Sequence, residues 1–198
     1  MRILAIDPAP TESAYVCYNS GELVVFDKLP NESLVGFVHF QARNGISSQV
    51  LAIEMPACYG MTVGKSVFET CRWVGIFQHA FGIERTHLVY RKARNIDEGI
   101  DGVCMHLCKN NRAKDPNIRQ AILDLYGGED KAIGNKKCRK CKGKGWSGAG
   151  RPVCPVCDGK KWRLPPGPLA NVSEDIWAAL AVAITFDETF EKPDRIGG

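Results

Sequence analysis

The feature that most constrains this chain is a buried strand that runs straight into a carboxylate. Ile3, Leu4, Ala5 and Ile6 form an apolar run suited to a strand covered on both faces, and the run ends on Asp7. Pro8 and Pro10 then stop any continuation as strand or helix. A carboxylate at the end of a buried strand has lost part of its hydration and needs a partner, such as a metal ion, an arginine or a helix N-terminus. Alone, an aspartate in that place is usually a turn former. Here the context recurs: Val50–Glu54 is a second apolar strand closed by an acid, and Ser173-Glu174-Asp175 opens a long apolar helix.

The elements between these acids predict an α/β fold. Ser13–Tyr18 and Glu22–Lys28 read as strands, with Asn19-Ser20-Gly21 as a hairpin connection. Glu32–Arg43 has the apolar spacing of an amphipathic helix. Met55–Gly64 is a loop, and Val67, Cys71, Val74, Phe77 and Phe81 recur at helical spacing up to Gly82. Thr86–Tyr90 is a fifth strand. This order predicts an antiparallel meander followed by parallel strands with helical crossovers. A helix is expected from Asp97 to about Cys108, and another from Asp115 as N-cap, with Pro116 behind it, to Gly127-Gly128. The last helix runs from about Ser173 to Thr189.

Composition bounds the rest. With 198 residues and 44% of them hydrophobic, the chain can bury one good core and a small appendage. It has no run of eighteen apolar residues, which excludes a membrane-spanning helix. Arg2 leads straight into a strand without the shape of a signal peptide, and the nine cysteines are odd in number. A reducing cytoplasm is therefore expected. The net charge of +4 is unevenly divided: Lys131–Lys161 holds ten Lys and Arg against Asp158, giving +9 and leaving −5 for the remainder. These limits give residues 1–130 as the first part of a core, 131–165 as an inserted segment and 166–198 as its completion. Pro165-Pro166-Gly167-Pro168 forms a stiff exit from the insertion.

Within the basic segment, Cys138-x2-Cys141-x12-Cys154-x2-Cys157 supplies the four thiolates that a tetrahedral zinc ion prefers. A redox pair or two disulfides is the alternative that spacing and compartment disfavour. Four closed ligands make such a metal structural. The segment CRKCKGKGW…CPVCDGKKW resembles half of the DnaJ-type zinc domain, which implies a small zinc-organised hairpin pair without implying chaperone activity. Most of Cys17, Cys58, Cys71, Cys104 and Cys108 read as buried free thiols, with Cys104-Met-His106-Leu-Cys108 as an alternative metal corner that no further pair completes. His39, His79 and His87 share no spacing, so a histidine-assisted nucleophile is not supported.

The acids carry a second resemblance. AIDPAPTESAYV, AIEMPACYG and SEDIWAALAVAIT resemble the three acidic motifs of RuvC-type Holliday-junction resolvases, in particular their phage-encoded branch within the RNase H-like superfamily. The stretches ACYGMTVGKSVFETCRWVG and AKDPNIRQAILDLYGG resemble the same branch. The resemblance implies an RNase H-like mixed sheet, with three antiparallel strands, then parallel ones, and helices on both faces. It also implies catalytic acids at Asp7, Glu54 and Asp175, branched DNA as substrate, and a homodimer. Two departures stand out: Ala9 replaces a usual glycine, and Ala178 stands where a second aspartate would lie one turn along the last helix. Glu174 is the candidate substitute, although it points about 100° away from Asp175 around a helix.

Converging carboxylates suit hard cations, Mg²⁺ or Mn²⁺. Two such ions about 3.5–4 Å apart would activate a water and stabilise the leaving oxygen of a phosphodiester. DNA contacts are expected from Arg91, Lys92 and Arg94, from Arg112, Lys114 and Arg119, and by stacking from Tyr59. Trp73, inside a helical stripe, reads as core. The helix Val67–Phe81 and the region Asp97–Leu125 are the candidate dimer surfaces. The expected activity is thus a metal-dependent, structure-selective endonuclease. Its rivals are a non-catalytic DNA-binding or interaction protein that keeps the fold, and a nuclease acting on hybrids or flaps.

Overall fold

The computed structural model describes residues 1–44, 48–58, 60, 62–92, 102–137, 142, 144, 152–157 and 162–190. The chain divides into two compact units, Met1–Ala121 with Ser173–Gly198, and Ile122–Val172.

The first unit is built on β1 (Arg2–Asp7), β2 (Glu12–Asn19), β3 (Glu22–Pro30), β4 (Val50–Met55) and β5 (Thr86–Tyr90), in the spatial order β3-β2-β1-β4-β5. β1, β2 and β3 pair antiparallel, while β1, β4 and β5 pair parallel. The β2–β3 turn places Ser20 and Gly21 at φ of +45° and +94°, as a two-residue hairpin that follows strand twist requires. One irregularity interrupts this ladder. Tyr18 pairs with Leu23, but Cys17 pairs with Val25, so Val24 is an extra residue in β3.

Helices supply the parallel crossovers: α1 (Asn31–Arg43) leads to β4, and α2 (Lys65–Phe81) leads to β5 through a short 3₁₀ turn. Gly82 ends α2 at a φ of +112°, with its N–H donating to the Gln78 carbonyl at 2.9 Å. Strand alternation then sorts the side chains. Leu4, Ile6, Tyr15, Leu51 and Ile53 pack with Leu34 and Val38 of α1 and with Trp73, Val74, Phe77 and Phe81 of α2. The intervening residues Ile3, Ala5, Ala14, Val16 and Ala52 point to the other face and are equally buried. There α6 (Glu174–Phe190) packs across β1, β2 and β4. Its Leu180, Val182, Ala183 and Ile184 leave almost no surface exposed.

After β5 come α3 (Val103–Cys108) and α4 (Asp115–Leu125), and the division between the units falls within α4. The helix expected from Asp97 is described only from Val103, because residues 93–101 lie outside the described part. Asp115 is not the cap that its sequence predicts. The Lys114 carbonyl accepts the first helical bonds, from Asn117 and Ile118, and the Asp115 carboxylate is bound by Arg91 instead.

The second unit holds α5 (Glu129–Ala132) and an antiparallel hairpin of β6 (Gly134–Lys137) with β7 (Trp162–Pro166). Neither was legible in a stretch dominated by Gly, Lys and Cys. Pro165 and Pro166, expected as an exit linker, belong to β7, a two-stranded ladder in which proline can keep its donor-less nitrogen outward. The close packing at Gly167 is obligatory: a Cβ there would collide with the carbonyl oxygens of Lys131 and Ala132. Among the described residues, no helix is long and apolar enough to cross a membrane.

Candidate active site

The site forms where β1 and β4 end side by side. Their register runs from Ile3 opposite Val50 to Ile6 opposite Ile53, so the next residues, Asp7 and Glu54, stand just past the last β1–β4 pair, each still paired on its outer side, with Ala14 and Val89. Both belong to the α6-facing set by alternation. Asp175, in the first turn of α6, completes the trio, and the Asp7 carboxyl feels the charges of Glu54 and Asp175.

The chain that leaves β1 is held by a buried polar brace. The Ser13 hydroxyl donates to the Asn31 side-chain oxygen at 2.6 Å, and the Asn31 amide donates to the Ala9 carbonyl at 2.9 Å. The Ala9 N–H donates back to Ser13 at 3.1 Å, and the Trp73 indole N–H donates to the Pro10 carbonyl at 3.0 Å. Ser13 and Asn31 are fully buried, so each of these bonds answers a desolvation cost. Trp73 is a core residue as its periodicity implies, and its indole nitrogen also fixes the loop beside Asp7.

Asp7, Pro8, Ala9, Pro10, Glu54, Pro56, Ser66, Val67 and Thr70 line a cleft of about 290 Å³. Burial, then the charge of Glu54, then that of Asp175 push the Asp7 carboxyl up to about 8, against smaller relief from Arg91 and Lys28. Burial also raises Glu54, and Arg91 opposes it. Two basic side chains flank the acids. The Arg91 guanidinium lies 3.9 Å from Glu54 and also binds Asp115. The Lys28 ammonium lies 2.6 Å from Asp175 and 3.8 Å from Glu12.

This donor set fits a hard divalent cation. It is made of carboxylate oxygens, and Asp7 sits in a low-dielectric site beside like charges that a cation would neutralise. Nevertheless, no group of three His, Cys, Asp or Glu side chains among the described residues is gathered closely enough to hold an ion. The Asp175 carboxylate is paired with Lys28 at 2.6 Å. Ala178, one turn further along α6, adds no carboxylate there, and the Glu174 side chain is outside the described part.

The sequence-predicted DNA contacts scatter. Arg91 is tied into the acid cluster, and the Arg119 guanidinium lies 5.3 Å from the centre of the Trp177 ring. Arg112 and Lys114 are exposed, and Lys92 is half-buried. Tyr59 and Arg94 lie outside the described residues, as do Cys138 and Cys141, whereas Cys154 and Cys157 are described and buried. Sequence reasoning missed Lys28. The antiparallel register that places it was hidden by the extra residue in β3.

A scan against protein-family models finds no match, and a search of curated proteins finds none either. Solved structures do match. Thermus thermophilus RuvC superposes with a TM-score of 0.53 at 14% identity, over 94% of this chain and 93% of that one. The fold is that of RuvC. The same protein in complex with Holliday junction substrate gives a TM-score of 0.52 at 14% identity and the same coverage. The likeness is one of fold: a mixed five-stranded sheet with helices, an α/β fold of the RuvC, RNase H-like kind. A fowlpox virus resolvase with substrate Holliday junction DNA matches at a TM-score of 0.31 and 16% identity, over 66% of this chain and 88% of that one. That likeness is too slight to argue from.

Proposed function

We propose that this chain is a divalent-metal-dependent, structure-selective endonuclease that cleaves branched DNA, four-way junctions in particular. The observation that carries the reading is that Asp7 and Glu54 stand at the ends of two inner strands of a RuvC-fold sheet within electrostatic reach of each other and of Asp175, with Asp7 pushed to about 8 by burial and by those two acids. The solved T. thermophilus complex with Holliday junction substrate supports the choice of DNA.

Asp7, Glu54 and Asp175 would hold Mg²⁺ or Mn²⁺, which supplies activation of a water and charge stabilisation at the phosphate. The residues of the chain do the remaining work. The brace of Ser13, Asn31 and Trp73 fixes the Pro8–Pro10 loop, so Asp7 keeps its position as substrate enters. Arg91 holds Glu54 in orientation from the β5 side. Pro8, Pro10, Pro56 and Val67 give the cleft an apolar wall beside the acids. A two-ion mechanism needs a further ligand in place of the one absent at Ala178, and Glu174 is our candidate.

Cleaving a junction symmetrically takes two sites facing two strands, so the working form is a homodimer. The residue ranges 1–130 and 166–198 form the nuclease core, and 131–165 form an inserted element. There Cys138, Cys141, Cys154 and Cys157 bind structural zinc, and the surrounding +9 of charge contacts phosphates. Tyr59, Lys92, Arg94, Arg112, Lys114 and Arg119 contribute DNA contacts on the core, in a cytoplasmic protein.

Nicking of a labelled four-way junction, with and without Mg²⁺, tests this reading. Magnesium-dependent cuts on opposite strands are expected. Tight junction binding without cleavage in either Mg²⁺ or Mn²⁺ would support the second reading, a binding protein, which Ala178 favours.

A further inference from the structure

We propose that Lys28 is a positioning residue for Asp175, holding that carboxylate away from the metal ligands until a DNA phosphate draws the ammonium off. The inference rests on the reading of Asp7, Glu54 and Asp175 as the metal-binding acids.

Register places the lysine. Asp7 pairs with Ala14, and Ala14 pairs with Lys28, so the three stand in one row across β1, β2 and β3. Directly opposed residues on paired strands project to the same face, here the one covered by α6. Ala14 is small and buried, which leaves the line between Asp7 and Lys28 free of a large side chain. From the end of this row the Lys28 ammonium reaches Asp175 at 2.6 Å and Glu12 at 3.8 Å. A lysine on an edge strand often serves only to discourage pairing with another strand. That role needs exposure, not an ion pair with an acid whose charge reaches Asp7.

The two cations beside the acids differ in what they can do. Arg91 is bound on both sides, by Glu54 and by Asp115, through a planar group that is costly to reorient. Lys28 is a point charge on a flexible stem, its side chain is 40% exposed, and its partner Asp175 is 51% exposed. Ion pairs this exposed are weak and exchange readily. A phosphodiester entering the cleft offers Lys28 a fresh anion, and Asp175 is then released toward Asp7 and Glu54. Because Ala178 brings no second carboxylate, Asp175 is the acid whose release matters. Assembly of the metal site thereby becomes coupled to the presence of DNA.

The test is Mn²⁺ binding to the intact protein, read by the loss of the free-ion electron paramagnetic resonance signal, beside Mg²⁺ titration of junction cleavage. Without DNA, Lys28→Met should bind Mn²⁺ about threefold or more tightly than the unaltered protein, the size expected when an ordinary surface ion pair stops competing. Lys28→Arg should stay near the unaltered value, because it preserves the pair. In the cleavage reaction, where Lys28 has already left Asp175, the half-saturating Mg²⁺ should change less than the DNA-free Mn²⁺ affinity does. Equal or weaker Mn²⁺ binding by folded Lys28→Met overturns the proposal, as does an equal change with and without DNA. If Asp7→Asn leaves Mn²⁺ binding intact in the Lys28→Met background, the metal-site reading itself falls, and the role of Lys28 with it.

Discussion

On the face covered by α1 and α2, β1 and β4 present Leu4, Ile6, Leu51 and Ile53, all without exposed surface. On the face covered by α6, the same strands present Ile3, Ala5 and Ala52 and then Asp7 and Glu54. One face is thus closed from end to end, whereas the other changes from core to carboxylate within one residue. Burial of each large apolar side chain stabilises the fold by about 1.5–3 kcal/mol. That gain lets the strand ends carry like charges that work against folding. The α1/α2 face therefore supplies stability, and the end of the α6 face uses some of it.

The largest effect that would break this contrast lies at Asp7. Asp7→Asn should abolish junction cleavage, with binding retained, while the metal-free protein unfolds at the same or a higher temperature. The change removes a carboxyl that must take up a proton on folding near neutral pH, a cost set by burial and its acidic neighbours, and leaves the apolar packing untouched. Cleavage at the original rate in Mg²⁺, or a clear fall in thermal stability, would show that the acids are structural.

The complementary change is Phe77→Ala, in the middle of the closed face. It should cost about 3–5 kcal/mol in denaturant unfolding, and the folded fraction should keep its metal requirement. A changed Mg²⁺ dependence at low temperature would mean that the two faces are not separable.

Replacement of Cys154 and Cys157 with Ser takes the comparison outside the sheet. If zinc organises the basic segment, elemental analysis should find the metal gone, and junction binding should weaken. The salt dependence of binding should become shallower by about 0.9 in slope for each phosphate that the segment no longer neutralises. The unfolding of the sheet should be unaffected, and collapse of the whole fold would refute an independent insertion.

The smallest effect is at the join between the faces. Trp73→Phe keeps the ring in the core and removes the 3.0 Å bond to the Pro10 carbonyl. It should cost about 1 kcal/mol by chemical denaturation. Cleavage should fall with little change in junction affinity, since only the loop beside Asp7 is loosened.

Much of the fold was legible because it depends on local pattern. The apolar run Ile3–Ile6, the period of Val67 to Phe81 and the glycine at 82 each state their structure within a few residues. The hairpin of β6 and β7 was not legible, because its strands have little apolar alternation and their pairing spans the intervening cysteine segment. The acids at 7, 54 and 175 were candidates from sequence, since each closes or opens an apolar element. Their meeting depends on long-range pairing: β1 against β4, and α6 returning across both.

The sequence by itself determined which apolar runs form the core, where the chain turns, and that acids stand at the ends of buried elements. Only the tertiary structure decided who faces whom. Counting back from the Ser20-Gly21 turn, an unbroken ladder would set Asp27 opposite Ala14. The extra residue Val24 moves the pairing by one, and Lys28 takes that place. A one-residue shift in a ladder turns each later side chain to the other face. The sign of the charge beside Asp175 therefore depends on a bulge, and a bulge arises from the packing of two strands, which a pattern along one strand does not record.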